Sequence, residues 1–571
     1  MNKDSHTFDL KALTSRPSIL RSNSAYLSGT ISNSRIVNVD EKGNIVSENN
    51  SIISIEENEL KKGLRNRHVQ LIALGGAIGT GLFVGSGLVL HDVGPCSLWL
   101  SYIVLSTIVW FVMNMLAEMA AFLPVPGAGS QQFINDYTDP SIGFALGYNY
   151  WYGFAILVAA EVVAAALVIQ YWTTSVHIAV WISILLGAML ILNLMPVQFY
   201  GEAEFIFAGI KLLAITGLII LGVVLFFGGG PNHDRLGFRY WKNGNALHPH
   251  LTGGDTGRFL GFWTAVIKAG YSFIMSPELI VACSGEVTNP RRILPKCANQ
   301  FIYRLAFFYI LGSLVIGIIA DSNSPRLVGD SSDASASPFV LGIQNAGIPV
   351  LNHIINAVVL ISAASAGNSF FYAGSRTLYS LALKGLAPKV FTTVNRFGIP
   401  IYCVLITFCV GCLSYLNVSS SSAQVFTWFS NITTISGFIS WIFVAFAYTR
   451  WRKAIVVQGL EDRVPYRTML QPYGAYYIMF IVGLITLTNG YAVFFDFNIG
   501  DFLAAYITLP IVLALYVVHR IYSYFWVGRK RWLNPLESFD FSKLELVEEE
   551  QRNTPQPIPK NAWEKFLNVI F

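Results

Sequence analysis

Ser276, Pro277 and Glu278 carry the side chains that usually begin a helix, yet they stand inside an apolar run from 259 to 283. Serine is a preferred N-cap, proline fits the first helical turn, and a carboxylate there faces the positive end of the helix dipole. The triplet therefore predicts a helix that stops and restarts within the run. A proline kink in a continuous helix is the alternative. Phe273, beside the break, is a candidate apolar wall of a binding site, with plain packing as its alternative.

A second interruption is predicted in the apolar run from 69 to 90, where glycines cluster near the middle. The four glycines of this cluster are Gly75, Gly76, Gly79 and Gly81. Free backbone amides at a broken helix, and half-helix dipoles that point at the break, suit an anionic group such as a carboxylate. A GxxxG packing surface is the alternative. A phosphate-binding loop is discounted because no strand precedes the glycines and no lysine follows them.

Charged side chains deep in apolar runs are costly, so each one is treated as a functional candidate. Glu278 follows the predicted break and is placed to accept hydrogen bonds from an ammonium or iminium group. Capping of its own half-helix is the alternative. Glu161, in the middle of the run from 142 to 171, is either a cavity carboxylate or a paired structural group.

Two lysines complete this set of charges. Lys211 lies in the run from 205 to 227, about two turns from its predicted cytosolic end. It either extends to the interface or is a buried ammonium whose gain and loss of a proton couples to movement of a substrate. Lys268 precedes Glu278 by roughly 15 Å of helix and is expected to gate a pocket or to pair with Glu161. Three further carboxylates are expected at interfaces or helix starts: Glu118, Glu202 and Glu204.

Membrane-spanning helices are the elements that must position these residues. Of the 571 residues, 53% are hydrophobic and only 12% are charged, about half the charged fraction of a soluble protein. About a dozen apolar runs are long enough to cross ~30 Å of hydrocarbon as helix. Their bounds are 69 to 90, 98 to 122, 142 to 171, 177 to 195, 205 to 227, 259 to 283, 301 to 320, 350 to 383, 401 to 416, 425 to 448, 473 to 494 and 502 to 525. The alternating pattern of a barrel is absent, so an all-α integral membrane protein is predicted.

The two predicted breaks are five runs apart, in the first and the sixth span. This spacing is expected of two five-helix repeats with opposite membrane orientation, which place broken helices around a site near the midplane. The repeats are predicted at about 69 to 227 and 259 to 448, with two further helices at about 473 to 525. Together they form a predicted twelve-helix domain from 66 to 526.

Lysine and arginine in the short loops predict that both tails lie in the cytosol. Residues 1 to 65 are polar and predicted to be a disordered N-terminal tail, and residues 527 to 571 form a C-terminal tail. The net charge of +5 is then a topology signal, and nucleic acid is not expected as a partner. A metal site in the outer loop at His248 and His250 is not expected, because no closed ligand set surrounds them.

Three stretches of the chain resemble the fungal amino-acid permeases of the amino acid, polyamine and organocation superfamily. They are LKKGLRNRHVQLIALGGAIGTGLFVGSG at the first span, YGEAEFIFAGIKLLAI at the fifth and SAASAGNSFFYAGSRTLYSLA at the eighth. The resemblance implies a leucine-transporter-like fold of ten core helices plus two. It also implies proton symport without a cofactor and multi-pass residence in the lipid bilayer of the fungal plasma membrane.

The resemblance gives each break a role. The first would bind the carboxylate of an amino acid, and the sixth-span backbone from Phe273 to Ser276, with Glu278, would bind its amine. Lys211 falls where proton-coupled relatives place an ammonium in lieu of a sodium ion. The predicted substrate-binding residues are Ile78, Gly79, Thr80, Gly81, Phe273, Ser276, Glu278, Glu161 and Lys268.

Within the family, the resemblance is greatest to members that transport proline. We therefore expect import of proline, with alanine, glycine or related small amino acids as further substrates. Ser276 stands where most of the family has glycine, and Pro277 follows it as in the proline-related members, which argues against a generalist. A broad neutral amino-acid permease and a nutrient receptor with little flux are the alternatives. An enzyme is not expected, because no nucleophile, base and orienting group occur together at membrane depth.

The N-terminal tail offers one further class of partner. Lys3, Lys11 and Lys42 are candidate ubiquitin acceptors, because the family resemblance implies regulated endocytosis through ubiquitin ligase machinery. Ordinary solvated charge is the alternative for each of these lysines.

Overall fold

The computed structural model describes the chain over residues 38–39, 45–46, 75–76, 78–124, 130–242, 244–282, 290–327, 337–418 and 422–553. The chain divides into two units, Met1–Glu56 and Glu57–Phe571. In the first unit, β1 (Asn38–Val39) pairs antiparallel with β2 (Ile45–Val46). The remainder of the predicted N-terminal tail, with its candidate ubiquitin acceptors, lies outside the described residues.

The described part of the second unit is built from α-helices, with short 3-10 and π segments between some of them. Their bounds are α1 (Ser86–Val93), α2 (Pro95–Phe122), α3 (Gln131–Tyr137), α4 (Pro140–Ile169), α5 (Ile178–Asn193), α6 (Val197–Phe226), α7 (Gly254–Ala269), α8 (Ser276–Ala282), α9 (Pro290–Ile319), α10 (Pro338–Asn345), α11 (Leu351–Leu383), α12 (Ile401–Gly411), α13 (Ser422–Val457), α14 (Tyr473–Leu487), α15 (Ile499–Tyr506), α16 (Thr508–Phe525) and α17 (Leu544–Asn553). Within this part, ten helices are long and apolar enough to cross a membrane. Two shorter apolar segments, Gly81–Val93 and Ile178–Asn193, occupy the first and fourth positions. Each of the twelve predicted runs therefore corresponds to a helix, which confirms the all-α membrane prediction.

Helices five spans apart pack against each other in the core. The third span, α4, packs extensively on the eighth, α11, and the second span, α2, packs on the seventh, α9. In the same way, the first-span segment Gly81–Gly85 contacts Gly270–Ser272 of the sixth span. Two repeats of opposite orientation are expected to produce this pairing of corresponding helices.

The last two spans lie against this core, where α14 packs on α13 and α16 packs on α4. Outward faces carry large apolar side chains that are largely exposed, among them Leu213 on α6, Phe480 on α14 and Phe525 on α16. Apolar surface of this kind is expected where helices face lipid.

The sixth span breaks where the sequence predicts. The helix α7 ends at Ala269, a 3-10 turn covers Gly270–Ser272, and α8 begins at Ser276. The connecting backbone turns through Met275, whose φ of 58° is a left-handed value uncommon for a residue other than glycine. The Ser276 hydroxyl donates to the Phe273 carbonyl oxygen at 2.5 Å. The chain is therefore turned and locally hydrogen-bonded at this break, and a simple proline kink does not describe it.

The first span bends at Ile78 and Gly79, between a helical turn that contains Gly75 and a helix that resumes at Thr80. The next five residues, Gly81–Gly85, form a π-helix that leads into α1. Wide turns of this type occur frequently at functional sites. Both predicted breaks are thus present in the described residues.

The described part of the C-terminal tail packs against helix ends and loops at one end of the bundle. The rings of Phe539 and Phe541 lie 5.4 and 6.2 Å from the ring of Tyr137 at the end of α3. In α17, Glu548 forms ion pairs with Arg463 at 2.9 Å and with Arg291 at 3.3 Å. The tail thereby joins the start of α9 to the loop between α13 and α14.

Candidate functional site

The two breaks touch each other through their backbones. A Cβ atom placed on Gly81 would lie 2.6 Å from the Cα of Ser272, closer than real Cβ contacts. Only glycine lets the first span approach the sixth span this closely. Ile78 is fully buried, and its carbonyl oxygen accepts a hydrogen bond from the Ser362 hydroxyl at 2.8 Å. The two interruptions therefore form one continuous site, with α11 behind it.

Neutral aromatic side chains hold the sixth-span break. The Tyr102 hydroxyl lies 2.8 Å from Ser272 Oγ, and the Tyr309 hydroxyl donates to the Ser272 carbonyl oxygen at 2.8 Å. The Phe273 ring packs between these tyrosines, with ring centroids 5.4 Å from Tyr102 and 4.6 Å from Tyr309. Phe273 is fully buried in this conformation, so it packs inside the bundle and does not border open space.

The carboxylate of Glu161, on α4, occupies the first-span break. The Thr80 backbone amide nitrogen lies 3.4 Å from both carboxylate oxygens, and the Tyr271 hydroxyl donates to Oε1 at 3.4 Å. Gly79 provides the room, because a Cβ there would lie 2.7 Å from Oε1. The sequence predicts this backbone for a ligand carboxylate. In this conformation the protein's own carboxylate stands in that position.

The ammonium of Lys211 is buried against the first span, where it donates a hydrogen bond to the Gly75 carbonyl oxygen. The helix α6 begins at Val197, eight residues before the predicted start of the fifth span. Lys211 therefore lies roughly 21 Å along the helix from its start. The interpretation of Lys211 as a side chain that extends to the interface is wrong, because the helix begins much earlier than the apolar run.

Glu204 is a buried member of the site that sequence reasoning missed. It was predicted at a helix start, but it is fully buried and accepts hydrogen bonds from Ser365 Oγ at 2.8 Å and Asn368 Nδ2 at 3.2 Å. Its spacing of seven residues from Lys211 places both side chains on one face of α6, which is the signal that could have identified it. Glu202 is exposed, as the same prediction expected.

Glu118 is likewise buried, although it was predicted near an interface. It accepts hydrogen bonds from the Tyr448 hydroxyl at 2.5 Å and from the Thr468 backbone amide at 2.8 Å. These donors come from α13 and from the loop that follows it, so Glu118 joins the second span to the tenth.

Lys268 lies at the predicted outer end of the site. Its ammonium pairs with the Asp92 carboxylate at 2.6 Å, and 38% of its side chain is exposed. It does not pair with Glu161, so that alternative is wrong. Because Asp92 lies on α1 and Lys268 on α7, the ion pair links the first span to the sixth on the predicted outer side of both breaks.

A cavity, here called the vestibule, lies beside this ion pair between the first, sixth and tenth spans. Its lining includes Gly85, Ser86, Tyr102, Lys268, Tyr271, Ser272, Phe426, Ser430, Asn431 and Thr434. Gly85 is open on this side, because among the described residues a Cβ there would approach only the Thr80 carbonyl oxygen, at 4.0 Å. The vestibule therefore reaches Tyr271 and Ser272 at the sixth-span break, with Glu161 behind the Tyr271 hydroxyl.

Glu278 lies on the other side of the sixth-span break from the vestibule. Its Oε1 accepts hydrogen bonds from Trp441 Nε1 at 2.9 Å and from the Tyr150 hydroxyl at 3.4 Å. Its Oε2 is buried and has no hydrogen-bond partner among the described residues. A buried carboxylate oxygen without a donor is costly, and an N–H group of a ligand would satisfy it.

Four titratable side chains follow one another through the described site. Tyr271 borders the vestibule and donates to Glu161, and Lys211 and Glu204 both lie against Gly75 of the first span. Each of these four side chains is buried. The arrangement can bind a charged ligand at the breaks and can hold or pass a proton behind it.

Known proteins resemble this chain in sequence and in fold. A family model described as amino acid permease matches residues 68–531. The proline-specific permease of Emericella nidulans is 54% identical over 523 residues, which cover 90% of this chain and 94% of that permease. The proline-specific permease of Saccharomyces cerevisiae is 46% identical over 565 residues, with 97% and 89% covered.

A solved structure supports the architecture. The manganese transporter of Eremococcus coleocola superimposes with a TM-score of 0.52 over 83% of this chain and 96% of its own, at 15% identity. A likeness at this identity concerns the fold alone. The family match spans both helix breaks, Lys211 and nearly all of the membrane helices. This multi-pass membrane protein therefore belongs to the amino acid permease family.

Proposed function

We propose that the protein imports proline together with protons across the fungal plasma membrane, by alternating access to the site at the two breaks. The observation that carries the proposal is the buried Lys211, whose ammonium is hydrogen-bonded to the carbonyl of Gly75 beside the first-span break. A lysine that can lose its proton offers a way to link proton movement to the backbone that binds a substrate.

The proposed site binds the two ends of an amino acid at different breaks. The substrate carboxylate binds the first-span backbone from Ile78 to Gly81, where the Thr80 amide now faces Glu161. The substrate amine binds Glu278 and the backbone from Phe273 to Ser276. The unpartnered Oε2 of Glu278 supports this assignment.

Selectivity for proline rests on the number of N–H bonds that the site can satisfy. A protonated secondary amine has two N–H bonds, whereas a primary ammonium has three. Glu278 Oε2 supplies one acceptor, and the backbone from Phe273 to Ser276, where the Phe273 carbonyl oxygen already accepts from the Ser276 hydroxyl, supplies the second. Two relatives at 54% and 46% identity are named proline-specific permeases, which supports the same choice.

The proposed outer gate is the ion pair of Lys268 with Asp92, which lies beside the vestibule. The proposed orientation places both tails in the cytosol, as the distribution of lysine and arginine predicts. Ubiquitin ligase machinery that acts on the tails belongs to the same proposal.

The experiment is an uptake panel in cells that lack their own amino-acid transporters. Labelled proline is supplied, and alkalinisation of the medium is recorded at the same time. We expect saturable proline uptake, inhibition by only a few small amino acids, and alkalinisation that proline evokes. Equal competition by every neutral amino acid would indicate a broad permease, binding without flux would indicate a receptor, and flux without alkalinisation would exclude proton coupling.

A further inference from the structure

We propose that Glu204 is the group that takes the proton from Lys211 and releases it to the cytosol. The proposal rests on the proton-coupled import proposed above and names the step that follows it. It concerns a residue that neither the helix breaks nor the predicted binding site includes.

The first argument is the environment of the Glu204 carboxylate. It is fully buried, and the donors that lie within hydrogen-bonding distance of it among the described residues are neutral: Ser365 Oγ at 2.8 Å and Asn368 Nδ2 at 3.2 Å. Asn368 is itself fixed, because Asn193 Nδ2 donates to its Oδ1 at 2.8 Å. Neutral donors stabilise an ionised carboxylate but do not force it to remain ionised, so this group can exist in both protonation states.

The second argument is the position of Glu204 relative to Lys211. The two residues are seven positions apart on α6, and therefore share a face about 10 Å apart along the axis. The structure places no N–O distance of 4 Å or less between them, yet both side chains lie against Gly75: Lys211 donates to its carbonyl oxygen, and a Cβ there would lie 3.3 Å from Glu204 Oε2. A separated pair of this kind can exchange a proton through a small rearrangement or a bridging water, whereas a tight ion pair would hold its charges in place.

The third argument is the backbone of the first span, which covers both groups. Lys211 donates to the Gly75 carbonyl oxygen, and a Cβ at Gly75 would lie 3.3 Å from Glu204 Oε2 and 3.1 Å from Ala208 Cβ. Movement of this part of the first span away from α6 would remove the acceptor of Lys211 and uncover Glu204 in the same step. The ammonium would then become a better acid at the moment its neighbour gains access to water.

The proton transfer balances without another reactant. The Lys211 ammonium gives a proton to the Glu204 carboxylate, which leaves a neutral amine and a carboxylic acid. The acid then releases that proton to cytosolic water and becomes a carboxylate again. The amine regains a proton from the side of the site that holds Glu161, and the cycle moves one proton inward.

The competing explanation is that Glu204 only holds α6 to α11 through its hydrogen bonds. Glu204→Gln distinguishes the two, because glutamine keeps the size and a carbonyl acceptor but cannot release a proton. Glu202→Gln is the matched control, since Glu202 carries the same group two residues away on the exposed face of the same helix.

The test uses the full chain in transporter-null cells, with uptake normalised to the protein at the cell surface. For Glu204→Gln we expect net proline accumulation and proline-evoked alkalinisation to fall by roughly tenfold or more, because a group that gains and releases a proton is lost. Exchange of external for internal labelled proline needs no net proton release and should stay within about twofold of wild type. Glu202→Gln should match wild type in all three measurements.

Equal loss of exchange and accumulation in Glu204→Gln would overturn the proposal and indicate a structural role. Undiminished alkalinisation in that variant would overturn it as well. If wild type itself shows no alkalinisation, the proton-coupled function fails, which is a different result.

A second variant decides the matter if Glu204→Gln does not reach the surface. Ser365→Ala removes the 2.8 Å donor of Glu204 without altering the carboxylate. Because the ionised product of proton release is then less stable, we expect net uptake to fall more than exchange. An unchanged ratio of net uptake to exchange would overturn the proposal.

Discussion

The two helix breaks differ in the kind of side chain that holds each one. Charged groups surround the first-span break, where Glu161 accepts from a backbone amide and Lys211 donates to a backbone carbonyl. Neutral groups hold the sixth-span break, where the hydroxyls of Tyr102 and Tyr309 bind Ser272. The contacts of the first-span backbone are therefore sensitive to the gain or loss of a proton, whereas the hydroxyl contacts of Ser272 are not.

This difference indicates that the two breaks have different roles in transport. Inside a protein, a partner that changes its charge alters its interaction strongly, whereas neutral hydrogen bonds keep nearly the same strength. We expect the first break to rearrange during transport and the sixth break to keep its geometry. The close contact of Gly81 with Ser272 then passes the movement of one to the other.

Loss of the ammonium at the first break should have the largest effect. Lys211→Met should lower proton-driven proline accumulation by roughly 100-fold or more, because an essential acid–base group is removed. Accumulation of labelled proline and alkalinisation of the medium measure this directly. Lys389→Met, at an exposed loop lysine, should behave as wild type. Persistent accumulation in Lys211→Met would place the coupling site elsewhere.

The next effect concerns the contact between the breaks. Gly81→Ala would place a Cβ 2.6 Å from the Ser272 backbone, and forced overpacking costs about 1–3 kcal/mol, or roughly a fivefold or greater loss of uptake. Gly217→Ala is the matched control, because a Cβ on this exposed glycine of α6 would meet no described atom within 4 Å. Comparable uptake by the two variants would show that the backbones do not need to touch.

A smaller effect is expected from the charge that fills the first break. The Thr80 amide faces the Glu161 carboxylate, and protonation of that carboxylate would free the amide for the substrate, so we expect the KM for proline to fall as external pH falls. In Glu161→Gln no carboxylate competes with the substrate for the Thr80 amide, so the KM of this variant should vary by less than about twofold with pH. In wild type the KM should vary by roughly tenfold, because the amide's hydrogen bond to a charged group is lost on protonation. Initial uptake rates between pH 5 and 7 test this, and a parallel pH dependence in both proteins would contradict it.

The smallest effect is expected from loss of one neutral hydrogen bond at the sixth-span break. Tyr102→Phe removes the 2.8 Å hydrogen bond to Ser272 Oγ while the ring remains. One neutral hydrogen bond contributes about 1 kcal/mol, so uptake should fall by roughly threefold to fivefold with the same pH dependence as wild type. A change in the pH profile would show that this break also responds to protons.

The local architecture could be predicted because its causes are local. The glycines near Gly79 and the helix-start residues at Ser276 mark their breaks in the sequence itself, and both breaks are present. The depth of Lys211 could not be predicted in this way. Glu202 and Glu204 interrupt the apolar pattern, so the pattern predicts that the fifth span starts at 205, whereas α6 begins at Val197.

The partners of the buried charges depend on contacts between distant helices. The donors of Glu204 lie on α11, the amide that faces Glu161 lies on the first span, and the partner of Lys268 is Asp92 on α1. The distances between side chains on different helices cannot be read from a single sequence. Apolar periodicity therefore predicts the helices, but not which charge meets which donor.

The contacts that dock the C-terminal tail on the bundle are resistant to mild acid. The Arg463 guanidinium donates hydrogen bonds that, with Arg291, hold the pKa of Glu548 below its ordinary value. A carboxylate with a lowered folded pKa stabilises docking above its unfolded pKa and loses that contribution only as pH falls through the lowered value. Protons that the proposed import releases beside the C-terminal tail would therefore leave the ion pairs of Glu548 intact and the tail docked. Release of the tail from the bundle therefore needs a cue other than local acidity.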